Sequence, residues 1–289
     1  MQSNIIYKNH LSGKQMVLAK LKLISIADIL TMSNGICGIL AILCFIRFYP
    51  DITIGTGFIF LGLVFDGMDG VAARKFGTKH DFGRHLDSIS DAITFVLAPS
   101  VLVLVVFYLP INNTSFLSLQ TFTHPRNILV LLASSLVIFF GLKRLIIFTF
   151  SGYKMKMFHG LATPAMAFLI IIVSHILDPH RLENHSLVLI YFSLITILLG
   201  SALMDAKIKY PKIRGEVGVI LALAIIISLL SIEVQKWFDI NSSDTIFMYY
   251  RIVSFFGLGL IISYVFIAPL MVNITNYQKI SNNTSFQLK

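Results

Sequence analysis

The stretch that decides the fold is "VFDGMDGVAARKFGTKHDFGRHLDSISDAITF", Val64 to Phe95. It sets Asp66, Asp69, Asp87 and Asp91 between two apolar segments. Asp66, Asp69, Gly70 and Ala73 follow the spacing i, i+3, i+4, i+7, which is one face of a helix. Gly83, Asp87 and Asp91 follow i, i+4, i+8, again one face. Two antiparallel helices, 64–73 and 83–95, joined by "RKFGTKHDF", would turn four carboxylates toward one another. Four such charges in a low dielectric must take up protons or be offset by cations. Carboxylate oxygens suit Mg²⁺ or Mn²⁺, and no Cys or His joins the group to favour zinc. Hard cations beside Arg74 point to a phosphate ligand. Gly70, Ala73 and Gly83 leave room for a flat group to approach the helix backbones. The competing reading, aspartates that merely cap helices, explains one or two of the four but not four at helical spacing.

The rest of the chain says where this cluster sits. Of 289 residues, 56% are hydrophobic and only 13% charged, with a mean hydropathy of +0.82. Soluble domains carry about 25% charged residues. An all-α integral membrane protein is expected, because helices satisfy their own backbone polar groups in lipid. Eight segments approach the ~20 apolar residues of a spanning helix: 27–47, 53–73, 88–109, 128–149, 161–177, 186–204, 215–232 and 248–270. Residues 1–26 form a tail in which "KQMVLAKLKLISI" reads as an interfacial amphipathic helix. Residues 27–271 form one polytopic domain, and 272–289 a second tail. The first 25 residues are polar and basic, and no cleaved leader is expected.

Charge placement orients the layout. With the N-terminus in the cytoplasm, one side collects 18 of the 23 Lys and Arg. Only Arg47, Arg126, Arg181, Lys236 and Arg251 fall on the other. That asymmetry follows the positive-inside rule. It puts both termini, and the Asp run, at the cytoplasmic face. The formal charge of +9 is therefore read as loop and headgroup contacts with membrane lipids, not as a nucleic-acid surface. Cys37 and Cys44 lie within one span and are not expected to pair.

The Asp run resembles the signature of the CDP-alcohol phosphatidyltransferase family, D-x2-DG-x2-AR-x8-G-x3-D-x3-D. All eight fixed positions match: Asp66, Asp69, Gly70, Ala73, Arg74, Gly83, Asp87 and Asp91. The resemblance implies two divalent cations, Mg²⁺ or Mn²⁺, held by Asp66, Asp69 and Asp87, with Asp91 completing the second site. It implies that Asp91 is the general base for the acceptor hydroxyl and that CMP leaves. Gly70, Ala73 and Gly83 would admit the cytidine and Arg74 would contact the nucleotide or diphosphate. Where a small hydroxyl residue often stands before the last Gly, this chain has His80.

Weaker echoes elsewhere resemble the phosphatidylserine synthase branch. "ADILTMSNGICG" keeps Thr31, Asn34, Cys37 and Gly38 but has Ala27-Asp28 where Pro-Asn is usual. "RLIIFTF" keeps Arg144, "FHGLATPAMA" keeps Gly160, Leu161, Pro164 and Ala165, and "LMDAKIKYPKI" keeps Tyr210 and Pro211. The branch implies CDP-diacylglycerol as donor and L-serine as acceptor, with Thr31 and Asn34 near the nucleotide. Asn34 is alternatively an interhelical hydrogen-bonding residue. Lys143, Arg144 and Lys212 are candidate partners for a serine carboxylate, or else ordinary snorkelling cations. Asp205, outside the branch pattern, is expected to pair with Lys207 or Lys209. A homodimer is implied by the family alone. Rival readings are an archaetidylserine synthase, transfer to inositol phosphate or glycerol phosphate, and, in a different class, a divalent-cation transporter.

Overall fold

The computed structural model describes residues 25–76, 81–108, 124–151, 158–177, 187–206 and 208–210. The proposed interfacial helix, the spans 215–232 and 248–270, His80 and Lys212 lie outside the described residues.

The described chain is helical. α1 (Ile26–Phe48) opens on a capping box. The Ser25 hydroxyl accepts the Asp28 amide at 3.2 Å, and the Asp28 carboxylate accepts the Ser25 amide at 2.8 Å. This satisfies N-terminal donors that the helix itself cannot. α1 ends before Pro50, which disfavours helical geometry in the preceding residue. α2 (Thr53–Phe76) starts where the Asp51 side chain accepts the Thr53 amide at 2.9 Å. α3 (Asp81–Asp91) runs into a π-helical turn, Ala92–Leu97, and then α4 (Ala98–Phe107). α5 (Pro125–Ser151), α6 (Thr163–Leu177) and α7 (Leu187–Asp205) follow among the described residues.

Among the described residues, five helical segments are long and apolar enough to cross a membrane: Ile26–Phe48, Thr53–Ala73, Phe82–Phe107, Pro125–Phe150 and Leu187–Asp205. The sixth apolar helix, Thr163–Leu177, is shorter. All six match expected spans in order. Two boundaries differ near the Asp run. α2 continues through Arg74 and Lys75 to Phe76, and α3 begins at Asp81. The expected nine-residue connection is therefore at most residues 77–80. Helix extends further here because the polar residues fall on one face, so α3 is strongly amphipathic rather than loop.

Lipid offers no hydrophobic drive for helices to associate, so close packing must hold them. Exposed Ile29, Ile36, Leu43, Phe139 and Phe192 face outward. Phe45, Ile59, Phe60, Leu102, Val103, Phe107, Val130 and Ile170 fill the interior. α1 lies between α2 and the third segment and packs on both. Glycine makes this approach feasible. A Cβ on Gly38 would meet the Thr94 backbone, Cα at 2.7 Å and N at 2.8 Å. On Gly62 of α2 it would meet Thr94 Cγ2 at 2.7 Å and Asn34 Oδ1 at 2.9 Å.

Gly38→Ala is accordingly expected to lower the melting temperature in detergent. The steric cost, about 1–3 kcal/mol for overpacking, outweighs the roughly 1 kcal/mol gain in helix propensity. An unchanged or higher melting temperature would show that α1 and the π-turn separate freely.

A small clamp ties two connections together. β1 (Phe158–His159) pairs antiparallel with β2 (Lys209–Tyr210). The Gly160 amide donates to Ile208 O and the Leu161 amide to Leu203 O, both at 3.0 Å. Gly160 has φ +75°, and a Cβ there would run into the Met204 carbonyl. This ties the start of α6 to the end of α7.

Candidate active site

α2 and α3 bring three of the four aspartates together. One carboxylate oxygen from each of Asp66, Asp69 and Asp87 lies within 4.8 Å of the others. Asp69 is buried and the other two half-buried. An all-oxygen set at this spacing fits a hard divalent cation such as Mg²⁺ or Mn²⁺ and lacks the nitrogen or sulfur that zinc favours. Asp91 stands one helical turn beyond Asp87 and interacts electrostatically with Asp66, Asp87 and Asp69. It is outside the close triplet, at the junction between α3 and the π-turn. π-turns often mark functional positions, because the extra residue re-aims side chains on one side of it.

α1 supports this cluster from behind. Thr31 Oγ1 hydrogen-bonds to Asp69 Oδ2, and Asn34 Nδ2 donates to Asp91 Oδ1 at 3.0 Å. Thr31 and Asn34 are three residues apart, so both face the same way. Thr94, within the π-turn, donates its hydroxyl to Asn34 O at 2.8 Å. Asn34 thus makes an interhelical hydrogen bond, one of the two roles read from the sequence. Asn34 Oδ1 is buried with no hydrogen-bond partner among the described residues.

One acidic residue was not anticipated. Asp28 is 4% exposed and acts electrostatically on Asp69. It stands where the branch pattern has Asn, so the site carries a fifth carboxylate at its edge. The sequence cue was "SIAD", a Ser three residues before an Asp ahead of an apolar run.

Gly70, Ala73 and Gly83 are half-buried along the same two helices. Arg74 lies in the last turn of α2; its side chain is outside the described set. Lys143 and Arg144 lie on α5. Asp205 pairs with Lys143 at 2.7 Å; the side chains of Lys207 and Lys209, the partners the sequence suggested, lie outside the described set. The Lys143 contact arises because α5 and α7 pack side by side. Both groups are about 40% exposed, so the pair adds little stability, but it occupies the Lys143 ammonium.

The family model described as CDP-alcohol phosphatidyltransferase matches residues 24–253. The chain belongs to the CDP-alcohol phosphatidyltransferase family. Within that family it is similar to a CDP-diacylglycerol–serine O-phosphatidyltransferase of Methanocaldococcus jannaschii, at 32% identity over 212 residues, 73% of this chain and 86% of that one. It is 33% identical over 186 residues to the Bacillus subtilis enzyme of the same name, covering 64% and 89% of the two chains. An archaetidylserine synthase of Methanothermobacter thermautotrophicus is 31% identical over 194 residues, 66% of this chain and 72% of that protein. The eight residues of the family signature all fall on α2 and α3.

Proposed function

We propose that this membrane enzyme is a phosphatidylserine synthase, transferring the phosphatidyl group of CDP-diacylglycerol to L-serine with release of CMP. The observation that carries the reading is the carboxylate triplet with Asp91 beside it, in a chain about a third identical to enzymes named for that reaction. Asp66, Asp69 and Asp87 would hold divalent cations, with Asp91 contributing to a second one. Bound there, Mg²⁺ or Mn²⁺ would offset the diphosphate charge and stabilise the departing CMP.

The chain's own groups account for the remaining chemistry. Asp91 accepts the proton of the serine hydroxyl. The serine oxygen forms a bond to the lipid-bearing phosphorus as the bond from that phosphorus to CMP oxygen breaks. Asn34 fixes one oxygen of Asp91, leaving the other to face the acceptor. Thr31 orients Asp69. Gly70, Ala73 and Gly83 would line the approach of the nucleotide, Arg74 would contact the nucleotide or diphosphate, and His80 is a further candidate for a nucleotide contact. Arg144, Lys143 and Lys212 are the cations proposed for the serine carboxylate; Lys143 would have to leave Asp205 to serve.

We read residues 27–271 as one domain of eight spans between two cytoplasmic tails, with the site at the cytoplasmic face, as the charge asymmetry supports. A homodimer is proposed from family membership alone.

The deciding experiment follows CMP release from purified protein with CDP-diacylglycerol, a divalent cation and a panel of alcohols. Serine is expected to support release; glycerol 3-phosphate and inositol phosphate are not. Release with glycerol 3-phosphate but not serine overturns the acceptor. A strong preference for CDP-archaeol over CDP-diacylglycerol favours the archaetidylserine reading, which the similarity to the Methanothermobacter protein keeps in view. Metal flux without CMP release would favour a transporter.

Thr31→Val keeps the shape of the side chain and removes the donor to Asp69. Partners of this kind typically tune metal affinity by 10–100-fold. The half-activating metal concentration is expected to rise by about that range, with near-normal turnover at saturating metal. Unchanged metal dependence would remove Thr31 from the site.

A further inference from the structure

A guanidinium inside a membrane-length helix is costly unless an anion meets it. Arg126 is the second residue of α5 and is only 6% exposed. Its Nε and Nη2 have no hydrogen-bond partner among the described residues. Those two atoms form one edge of the guanidinium, the fork that takes two oxygens of a phosphate or carboxylate side by side. The surroundings add donors and positive potential. Tyr49 and Tyr191 interact electrostatically with Arg126; Tyr49 closes α1 and Tyr191 lies one turn into α7. The N-terminal end of α5 carries the positive end of its peptide dipoles.

Position narrows the occupant. Between Thr31, at the carboxylates, and Tyr49, α1 rises by roughly 27 Å at 1.5 Å per residue. That is nearly the ~30 Å hydrocarbon thickness of a bilayer. The Arg126 fork therefore sits at the headgroup level of the leaflet opposite the carboxylate site, the depth at which Tyr is enriched. The oxyanion always present at that depth is a phosphodiester, with two free oxygens and one negative charge.

We propose that Arg126, with Tyr49 and Tyr191, forms an oxyanion site at the end of the bundle opposite the carboxylates, and that it holds the phosphate of a membrane phospholipid. Free phosphate shares the chemistry but lacks the acyl chains that would place it at this depth. The site does not depend on which alcohol the enzyme uses.

The test is thermal unfolding of the purified full-length protein in a neutral detergent, with a chelator present so that metal-dependent binding at the carboxylates is silent. Phosphatidylglycerol, diacylglycerol with the same chains, and inorganic phosphate are titrated separately. Phosphatidylglycerol is expected to raise the melting temperature and diacylglycerol is not. Arg126→Gln should weaken the apparent affinity for phosphatidylglycerol by about tenfold or more. Arg126→Lys keeps the charge without the fork and should fall between. If the Gln variant does not fold, the Lys variant decides by the same comparison. Equal phosphatidylglycerol responses in wild type and variant overturn the proposal. An equal rise with inorganic phosphate overturns the lipid assignment. A phosphatidylglycerol response absent from wild type that appears only in Asp178→Asn or Glu183→Gln, acidic residues that follow α6 in the sequence, would overturn the proposal by making a carboxylate of the chain itself the occupant.

Discussion

Asp91→Asn is expected to reduce serine-dependent CMP release by about a thousandfold, while binding of CDP-diacylglycerol is largely retained. A positioned general base typically contributes 10²–10⁴ in rate. Asparagine is nearly isosteric and keeps an oxygen for the bond that Asn34 donates to Asp91 at 3.0 Å. The local packing should therefore survive, and the loss is confined to proton acceptance and to a share of the second cation. Raising the metal concentration separates these two causes. A metal-binding defect alone would be rescued by excess metal; loss of the base would not. More than a tenth of wild-type turnover in Asp91→Asn would place the base elsewhere.

Asp87→Asn tests the other half of the site, through stability as well as activity. Asp66, Asp69 and Asp87 place oxygens within 4.8 Å of one another, so without a cation they repel. In chelator, removing one charge is expected to leave the melting temperature equal to or above wild type. In Mg²⁺ or Mn²⁺ the order should reverse, because only the intact triplet gains from binding. Activity at millimolar metal should fall at least a hundredfold. Parallel melting curves in both conditions, with no crossing, would show that the triplet does not hold the metal.

The α2–α3 half of the site was legible because its logic is local. Asp66, Asp69 and Gly70, and then Gly83, Asp87 and Asp91, each declare a helix face within nine residues, and a charged face in apolar sequence demands a reason. The supporting half was not legible. Thr31 and Asn34 meet carboxylates 38 and 57 residues away, and no period connects them. The spacing suggested one helix over 83–95, and the π-turn inside it leaves no compositional mark. Nor did spacing show that helix packing would bring Lys143 to Asp205, 62 residues away. Arg126 counted only as one of five cations on the poorer side. Its burial depends on where α1 and α7 end, which spacing within α5 cannot show.

The π-turn at Ala92–Leu97 has a geometric consequence. An α-helical residue advances the chain by about 100° around the axis, and a π-turn absorbs one additional residue. Below the turn, Asp87 and Asp91 lie near Asp66 and Asp69. Above it, Leu102, Val103 and Val106 are locked into the interior. The seam therefore works as an angular offset between a chemical half and an anchoring half of one continuous rod. Deleting a single residue there would close the bulge to ordinary helix and leave both halves aimed nearly as before, whereas a deletion in the regular turns beyond it, with the bulge retained, would swing both carboxylates about a quarter-turn off target. The position of each aspartate around the rod is thus set by counting residues through this seam, not by the identity of any one side chain within it.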